Sequence, residues 1–156
     1  MRLVGDKDHE HIWQSRLETL GPFAVILASY VSPYQGRSGL VSTTVYRGAQ
    51  LSDDIIADYR CVAESDDKRR SFQAFTSCSR SQELAEQFGN VLFVLNVVDE
   101  KECLAHSLDV SPWSAYPDEQ EVLIPPGRSV KIERVNFDSR KNKHFIYLTL
   151  LGRDEQ

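Results

Sequence analysis

Apolar positions along this chain recur first at helical spacing and later at strand spacing. Trp13, Leu17 and Leu20 fall at i, i+4 and i+7, which predicts a helix over residues 9–20. Gly21-Pro22 is expected to end it, because proline removes a backbone donor and restricts the residue before it. A second apolar segment, residues 23–31, fits a helix better than a strand, and the Pro- and Gly-bearing residues 32–42 predict a loop. Residues 43–48 are β-branched and aromatic and predict a strand. Ser52-Asp53-Asp54 then has the form of a helix start, with an N-cap serine and acids at the positive helix end. Ile55, Ile56, Tyr59 and Val62 supply the apolar face of that helix, and the charged residues 65–70 predict a turn.

The second half reads mostly as strands. Residues 71–77 carry Phe72 and Phe75 and predict one strand, followed by Ser79-Arg80-Ser81-Gln82 in the form of a capping box. The helix after it carries Leu84, Ala85 and Phe88 and stops at Gly89-Asn90. Residues 91–98 are nearly all apolar, the mark of a strand covered on both faces. Residues 103–110, with His106, suggest another short strand. Pro112 and Pro117 hold the following stretch as a loop, Val122-Leu123-Ile124 forms a strand core, and Pro125-Pro126-Gly127 ends it. The alternation over residues 129–137 loses step between Ile132 and Val135, which predicts a bulge. After a turn at 138–143, Ile146, Leu148 and Leu150 share one face of a last strand, 144–151. Helices crowd the first half and strands the second, so the expected fold class is α+β with a largely antiparallel sheet system.

Length bounds this picture to one domain: 156 residues suffice for a single core. The expected organisation is a helical N-terminal part, 1–42, and a core over 43–151. The net charge of -5 argues against nucleic acid as a partner, whose binders are usually basic. Lys68-Arg69-Arg70 and Arg140-Lys141-Asn142-Lys143 read as solvated turns. Three cysteines, Cys61, Cys78 and Cys103, are too few and odd in number for a disulfide framework. No apolar run is long enough to cross a membrane, and residues 1–10 lack a signal-peptide core. A cytoplasmic setting is expected, with a secreted effector as the alternative, and neither metal nor membrane is implied.

Three short stretches carry chemistry. Glu119 and Glu121 stand two apart at the entrance of the 122–124 strand, where extended geometry would put both carboxylates on one face. Like charges so close repel, so the pair carries a cost. Arg47 ends a strand just before Gly48; its guanidinium offers a fixed fork of donors suited to phosphate, and the glycine allows close approach to the backbone. In Phe75-Thr76-Ser77-Cys78-Ser79, the hydroxyls of Ser77 and Ser79 would share a face and could orient a carboxylate, while Ser79 also suits a helix cap.

Tyr46-Arg47-Gly48, then Phe75-Thr76-Ser77-Cys78-Ser79, then Glu119-Gln120-Glu121-Val122-Leu123 occur in this order, each at a strand end. Together they resemble the arginine, serine, glutamate class of mono-ADP-ribosyltransferases, the arginine-specific family that includes vertebrate enzymes and bacterial toxins, over residues 43–151. That resemblance implies NAD as co-substrate, with NADP as the alternative, clamped between two small sheets. It implies that Arg47 holds the phosphates, that Gly48 and Phe88 lie against the nicotinamide, and that Ser77 and Ser79 match the outer serines of a Ser-Thr-Ser motif. Cys78 replaces its threonine, with a side chain expected to point away from the serines. For Phe88, a core position at a helix end stays open as the other reading. The same resemblance implies that Glu121 stabilises the ribose cation, that Glu119 activates an acceptor arginine, and that Tyr116 helps recognise a target protein. Trp113 could join it, but packing is the better reading for that residue. Only about forty residues precede the arginine strand, fewer than in many relatives, which puts the adenine side of the site in question. Two other readings stand beside arginine transfer: NAD hydrolysis, and an inactive module that binds NAD or a protein.

Overall fold

The computed structural model describes residues 17–30, 43–97 and 108–151. The expectations for residues 9–16, for the 32–42 loop and for Cys103 and His106 lie outside them. The first element, α1 (Leu17–Tyr30), runs straight through Gly21-Pro22, so the expected break is absent. Proline's fixed φ is compatible with a helix, and at this point it forfeits a backbone donor without ending the element. After α1 come β1 (Thr43–Ala49), α2 (Asp53–Glu64), β2 (Arg69–Ser71), β3 (Thr76–Ser79), α3 (Gln82–Glu86) and β4 (Val91–Val97). The chain ends with β5 (Leu108–Asp109), two 3-10 turns (Ser111–Trp113 and Pro117–Glu119), β6 (Glu121–Ile124), β7 (Ser129–Asp138) and β8 (Lys143–Leu150).

The strands form one hydrogen-bonded order, β2-β7-β8-β4-β1-β3-β6-β5. Every adjacency but one is antiparallel; β4 and β8 run parallel. The order is nearly cut in two between β1 and β3, which share the single pair Tyr46↔Ser79. Five strands lie on one side of that joint and three on the other. The α+β class and the two small, mainly antiparallel sheets expected from sequence are therefore both present, joined at a seam.

The core gathers α2 and strands of the larger half, and also takes in Cys78 of β3 and Val122 and Ile124 of β6. Ile56, Tyr59, Val62 and Ala63 of α2 are buried, and the Tyr59 ring meets Phe93 of β4 edge-on at 5.5 Å. Burial raises the Tyr59 phenol above its usual range. Val91, Leu92 and Phe93 of β4 are all buried; beyond them the strand alternates and exposes Asn96, so only its first half is covered on both faces. The predicted bulge appears as a register shift between Ile132 and Arg134.

Three local readings need correcting. Residues 71–77 are not one strand. Arg69 and Arg70, expected in a turn, pair with Lys131 and Val130 on β7, whereas Thr76 begins a strand paired with β6. Phe72 bridges to the β6–β7 connection through Phe72 N–H to Arg128 O at 2.9 Å and Gly127 N–H to Phe72 O at 2.7 Å. The chain changes partner there, which no local periodicity records. The helix cap is Ser81, which accepts from Leu84 N–H at 3.4 Å, so the expected capping box at Ser79 does not form. Lys143, placed by sequence in a solvated turn, is 8% exposed.

Candidate active site

At the seam between the two halves opens a cleft of about 410 Å³, lined by Arg47 and Gly48 of β1, Ser77 and Ser79 of β3, Phe88 beyond α3, and Glu119 and Glu121, among others. Each is there for a local reason. Burial alternates along β3: Thr76 and Cys78 point into the core, Ser77 and Ser79 away from it. The thiol of Cys78 is thus an inward-facing group, and burial pushes its pKa up to about 12, so it stays protonated and inert. The expectation that Cys78 points away from the serines holds.

Antiparallel pairing sets Ser77 against Leu123 and Ser79 against Glu121. From there the Ser77 hydroxyl donates to Glu121 Oε1 at 2.6 Å. A guanidinium nitrogen of Arg47 donates to the Ser77 carbonyl at 2.7 Å. The buried Arg47 Nε has no hydrogen-bond partner among the described residues. An orphaned donor on a cation, beside a cleft, is suited to an anionic ligand such as a phosphate.

Glu119 reaches the cleft by a different route from the one expected. It sits in the second 3-10 turn, and Gln120 between the two acids is left-handed, with φ 49° and ψ 47°. The simple alternation of an extended strand therefore fails at this point, yet both acids line the cleft. Ser79 braces the turn: its hydroxyl donates to Glu119 O at 2.7 Å and accepts from Ser81 N–H at 2.9 Å. Tyr116, at the start of the turn, is 69% exposed. Phe88 is 63% exposed and lines the cleft, which decides against the core reading.

A family model for NAD:arginine ADP-ribosyltransferase matches residues 24–156. The chain belongs to this ADP-ribosyltransferase family. No curated protein sequence matches it. Among solved structures, it is similar to the ADP-ribosyltransferase HopU1 of Pseudomonas syringae pv. Tomato DC3000, with 26% identity and a TM-score of 0.60, over 70% of this chain and 46% of that one. C3stau2 from S. aureus, solved with NAD, shares the fold at 15% identity and a TM-score of 0.66, over 87% of this chain and 73% of that one. The type III effector XopAI from Xanthomonas axonopodis pv. citri does so at 21% identity and a TM-score of 0.63, over 83% of this chain and 52% of that one. The chain thus spans about half the length of the HopU1 chain.

Within this ADP-ribosyltransferase fold, the described residues contain no cluster of three His, Cys, Asp or Glu side chains that could hold a metal. Sequence reasoning missed the brace on the far side of the acidic strand. Arg80 pairs with Asp109 at 2.7 Å, Arg80 N–H donates to Gln120 O, and Val110 N–H donates to Glu121 O. The Ser111 hydroxyl also reaches Glu121 O, at 3.3 Å. Arg80 and Asp109 are 29 residues apart, and no spacing rule joins them.

Burial alone would raise the Asp109 carboxyl, but hydrogen bonds from Ser111 and Arg80 outweigh it and hold the group below its ordinary range. A depressed carboxylate contributes stability above its unfolded pKa and loses it as pH falls through the folded value. Asp109→Asn should therefore lower the thermal midpoint at neutral pH by a small amount, worth at most about 1 kcal/mol for so exposed a pair. The difference from the parent should close below the carboxylate range. Midpoints of both proteins, measured from neutral to acid pH, check this, and a gap that stayed constant with pH would remove the ion pair as its cause.

Proposed function

We propose that this chain transfers ADP-ribose from NAD to an arginine side chain of a protein and releases nicotinamide. The observation that carries the reading is the 2.6 Å bond from Ser77 to Glu121 inside a cleft that also holds Arg47 and Glu119. Arg47 supplies a fixed cation, with a free buried Nε, for the NAD phosphates. The presence of NAD in the C3stau2 structure supports the choice of ligand.

The chemistry follows from the groups. Breaking the bond between nicotinamide and ribose leaves the bonding pair on the nicotinamide nitrogen, which departs neutral and needs no acid. Positive charge grows on the ribose as in glycoside hydrolysis. Glu121, fixed by Ser77, can accept a hydrogen bond from a ribose hydroxyl and stabilise that cation as it develops. The acceptor guanidinium is itself a cation and a poor nucleophile. Glu119 pairs with it, orients one nitrogen, and takes its proton as the nitrogen–carbon bond forms. Ser79 holds the Glu119 turn, and exposed Tyr116 offers an aromatic contact to the target protein. Phe88 flanks the nicotinamide, and Gly48 lies beside it at the floor of the cleft.

The test is NAD consumption by the purified chain, with and without a small guanidino compound. Loss that depends on the acceptor supports arginine transfer. Loss indifferent to the acceptor points to NAD hydrolysis or another target residue, and binding without loss points to a non-catalytic module. The division of labour between the acids has its own check. Glu119→Gln should cut transfer to the guanidino acceptor about a hundredfold or more, the scale of a lost general base. Hydrolysis should stay within a few-fold, because water needs no orientation by Glu119. An equal fall in both would assign Glu119 to the donor side.

A further inference from the structure

Phe88 is too exposed to be held by its own packing, so its position in the cleft wall is set by the backbone that carries it. That backbone is gripped from the β7–β8 hairpin. Lysine is almost never buried unless paired, and Lys143 is buried at the first position of β8, after Asn142 in the left-handed region at φ 49°. Its ammonium carries three donors. They meet three carbonyls at the end of α3: Glu86 O, Phe88 O at 3.3 Å and Gly89 O at 2.9 Å. Glu86 O belongs to the last turn of α3, where carbonyls lack helical partners, and Phe88 O and Gly89 O lie just beyond it.

Neighbouring contacts close the grip. Lys141 Nζ donates to both oxygens of the Glu86 carboxylate, at 2.9 and 2.7 Å. His144 N–H donates to Asn90 O at 2.9 Å. The Asn90 amide bonds Leu51 twice, N–H to Oδ1 and Nδ2 to O, each at 2.9 Å. Beneath the segment, a Cβ at Gly48 would stand 2.7 Å from both Phe88 Cβ and Phe88 O. The Phe88 backbone is thus caught between the floor of the cleft and the Lys143 ammonium. Lys143 itself does not line the cleft.

We propose that Lys143 is a positioning residue. It pins the segment from Glu86 to Asn90, so that Phe88 forms a preformed wall for the nicotinamide end of NAD rather than a flap that must be ordered on binding. The inference rests on the proposed NAD chemistry of the cleft. Ordering a loop on binding weakens affinity, and a wall fixed beforehand avoids that loss.

The experiment compares the full chain with Lys143→Met, the milder Lys143→Gln, Phe88→Ala, and Phe88→Ala with Lys143→Met. Two quantities are read: amide hydrogen exchange without ligand, and the dissociation constant for NAD. Lys143→Met should speed exchange at Gln87, Phe88 and His144 about tenfold or more, the effect of unpairing hydrogen bonds to a charged group. It should weaken NAD about tenfold, with Lys143→Gln in between on both measures. In the Phe88→Ala background the same substitution should change NAD affinity less than about twofold, because its route of action is gone. Equal weakening in both backgrounds, or unchanged exchange at those amides, overturns the proposal. Should Lys143→Met not fold, Lys143→Gln in the two backgrounds decides by the same comparison. If the parent binds no NAD while exchange still quickens in the variant, the proposed function falls and the clamp on Phe88 stands.

Discussion

Glu121→Ala should abolish both transfer and NAD hydrolysis, each falling by about 10³-fold or more, the result expected if Glu121 faces the developing charge as proposed. The two reactions share their cation and differ only in what captures it, so a group that stabilises the cation must matter equally to both. NAD affinity should change only a few-fold, because Arg47 and the cleft walls remain. Glu121→Gln is the sharper comparison. The amide can keep a hydrogen bond to Ser77, which sits 2.6 Å away, while losing the negative charge. If charge is the operative property, the glutamine variant is as inactive as alanine. Initial rates of nicotinamide release, with and without a guanidino acceptor, measure all of this. A glutamine variant near parental activity would show that Glu121 acts by shape and hydrogen bonding instead.

Gly48→Ala should be strongly damaging at the seam. A Cβ there would lie 2.1 Å from Ala85 O and 2.7 Å from Phe88 Cβ and Phe88 O. Backbone is the obstacle at its nearest point, so no rotamer change relieves the clash and α3 must retreat bodily from β1. Overpacking of this kind costs about 1–3 kcal/mol. Because Phe88 and Gly48 line the same cleft, the retreat also misplaces the wall. We expect a lower denaturant midpoint with an unchanged slope, together with weaker NAD binding. A parental midpoint would mean that α3 can move away freely, and would argue against a fixed seam. The close neighbour of Gly48 in the fold is protein, a demand on the glycine separate from any ligand.

Much of this site was legible because its parts are short and local. Tyr46-Arg47-Gly48 reads as the end of a β-branched strand, and the observed β1 runs Thr43–Ala49. The Ser77-Cys78-Ser79 alternation is a period-two signal, and the structure divides those side chains between core and cleft as that period requires. The errors arise where the chain changes partner or conformation within a few residues. Residues 65–70 read as a charged turn and residues 71–77 as one strand, but Arg69–Ser71 pairs with β7 and Thr76–Ser79 with β6. Between Glu119 and Glu121 one left-handed residue, Gln120, breaks an alternation that spacing alone assumes. Phe88 had two local readings of equal merit, and only its 63% exposure at the cleft separates them.

By itself the sequence determined the α+β class, the bulge in β7 and the three motifs, because each depends on spacing within a few residues of the chain. The meeting of those motifs is another matter. Arg47 lies 30 residues from Ser77, and Ser77 lies 44 from Glu121; the β1–β3 joint at the seam brings the first pair within hydrogen-bond range, and β3–β6 pairing inside the smaller half brings the second. The same holds for Lys143, whose charge reads as a solvated turn until the β7–β8 hairpin places it against the carbonyls beyond α3. Burial and partner choice are properties of the packed chain, since an unpaired donor or charge costs free energy only where water is excluded.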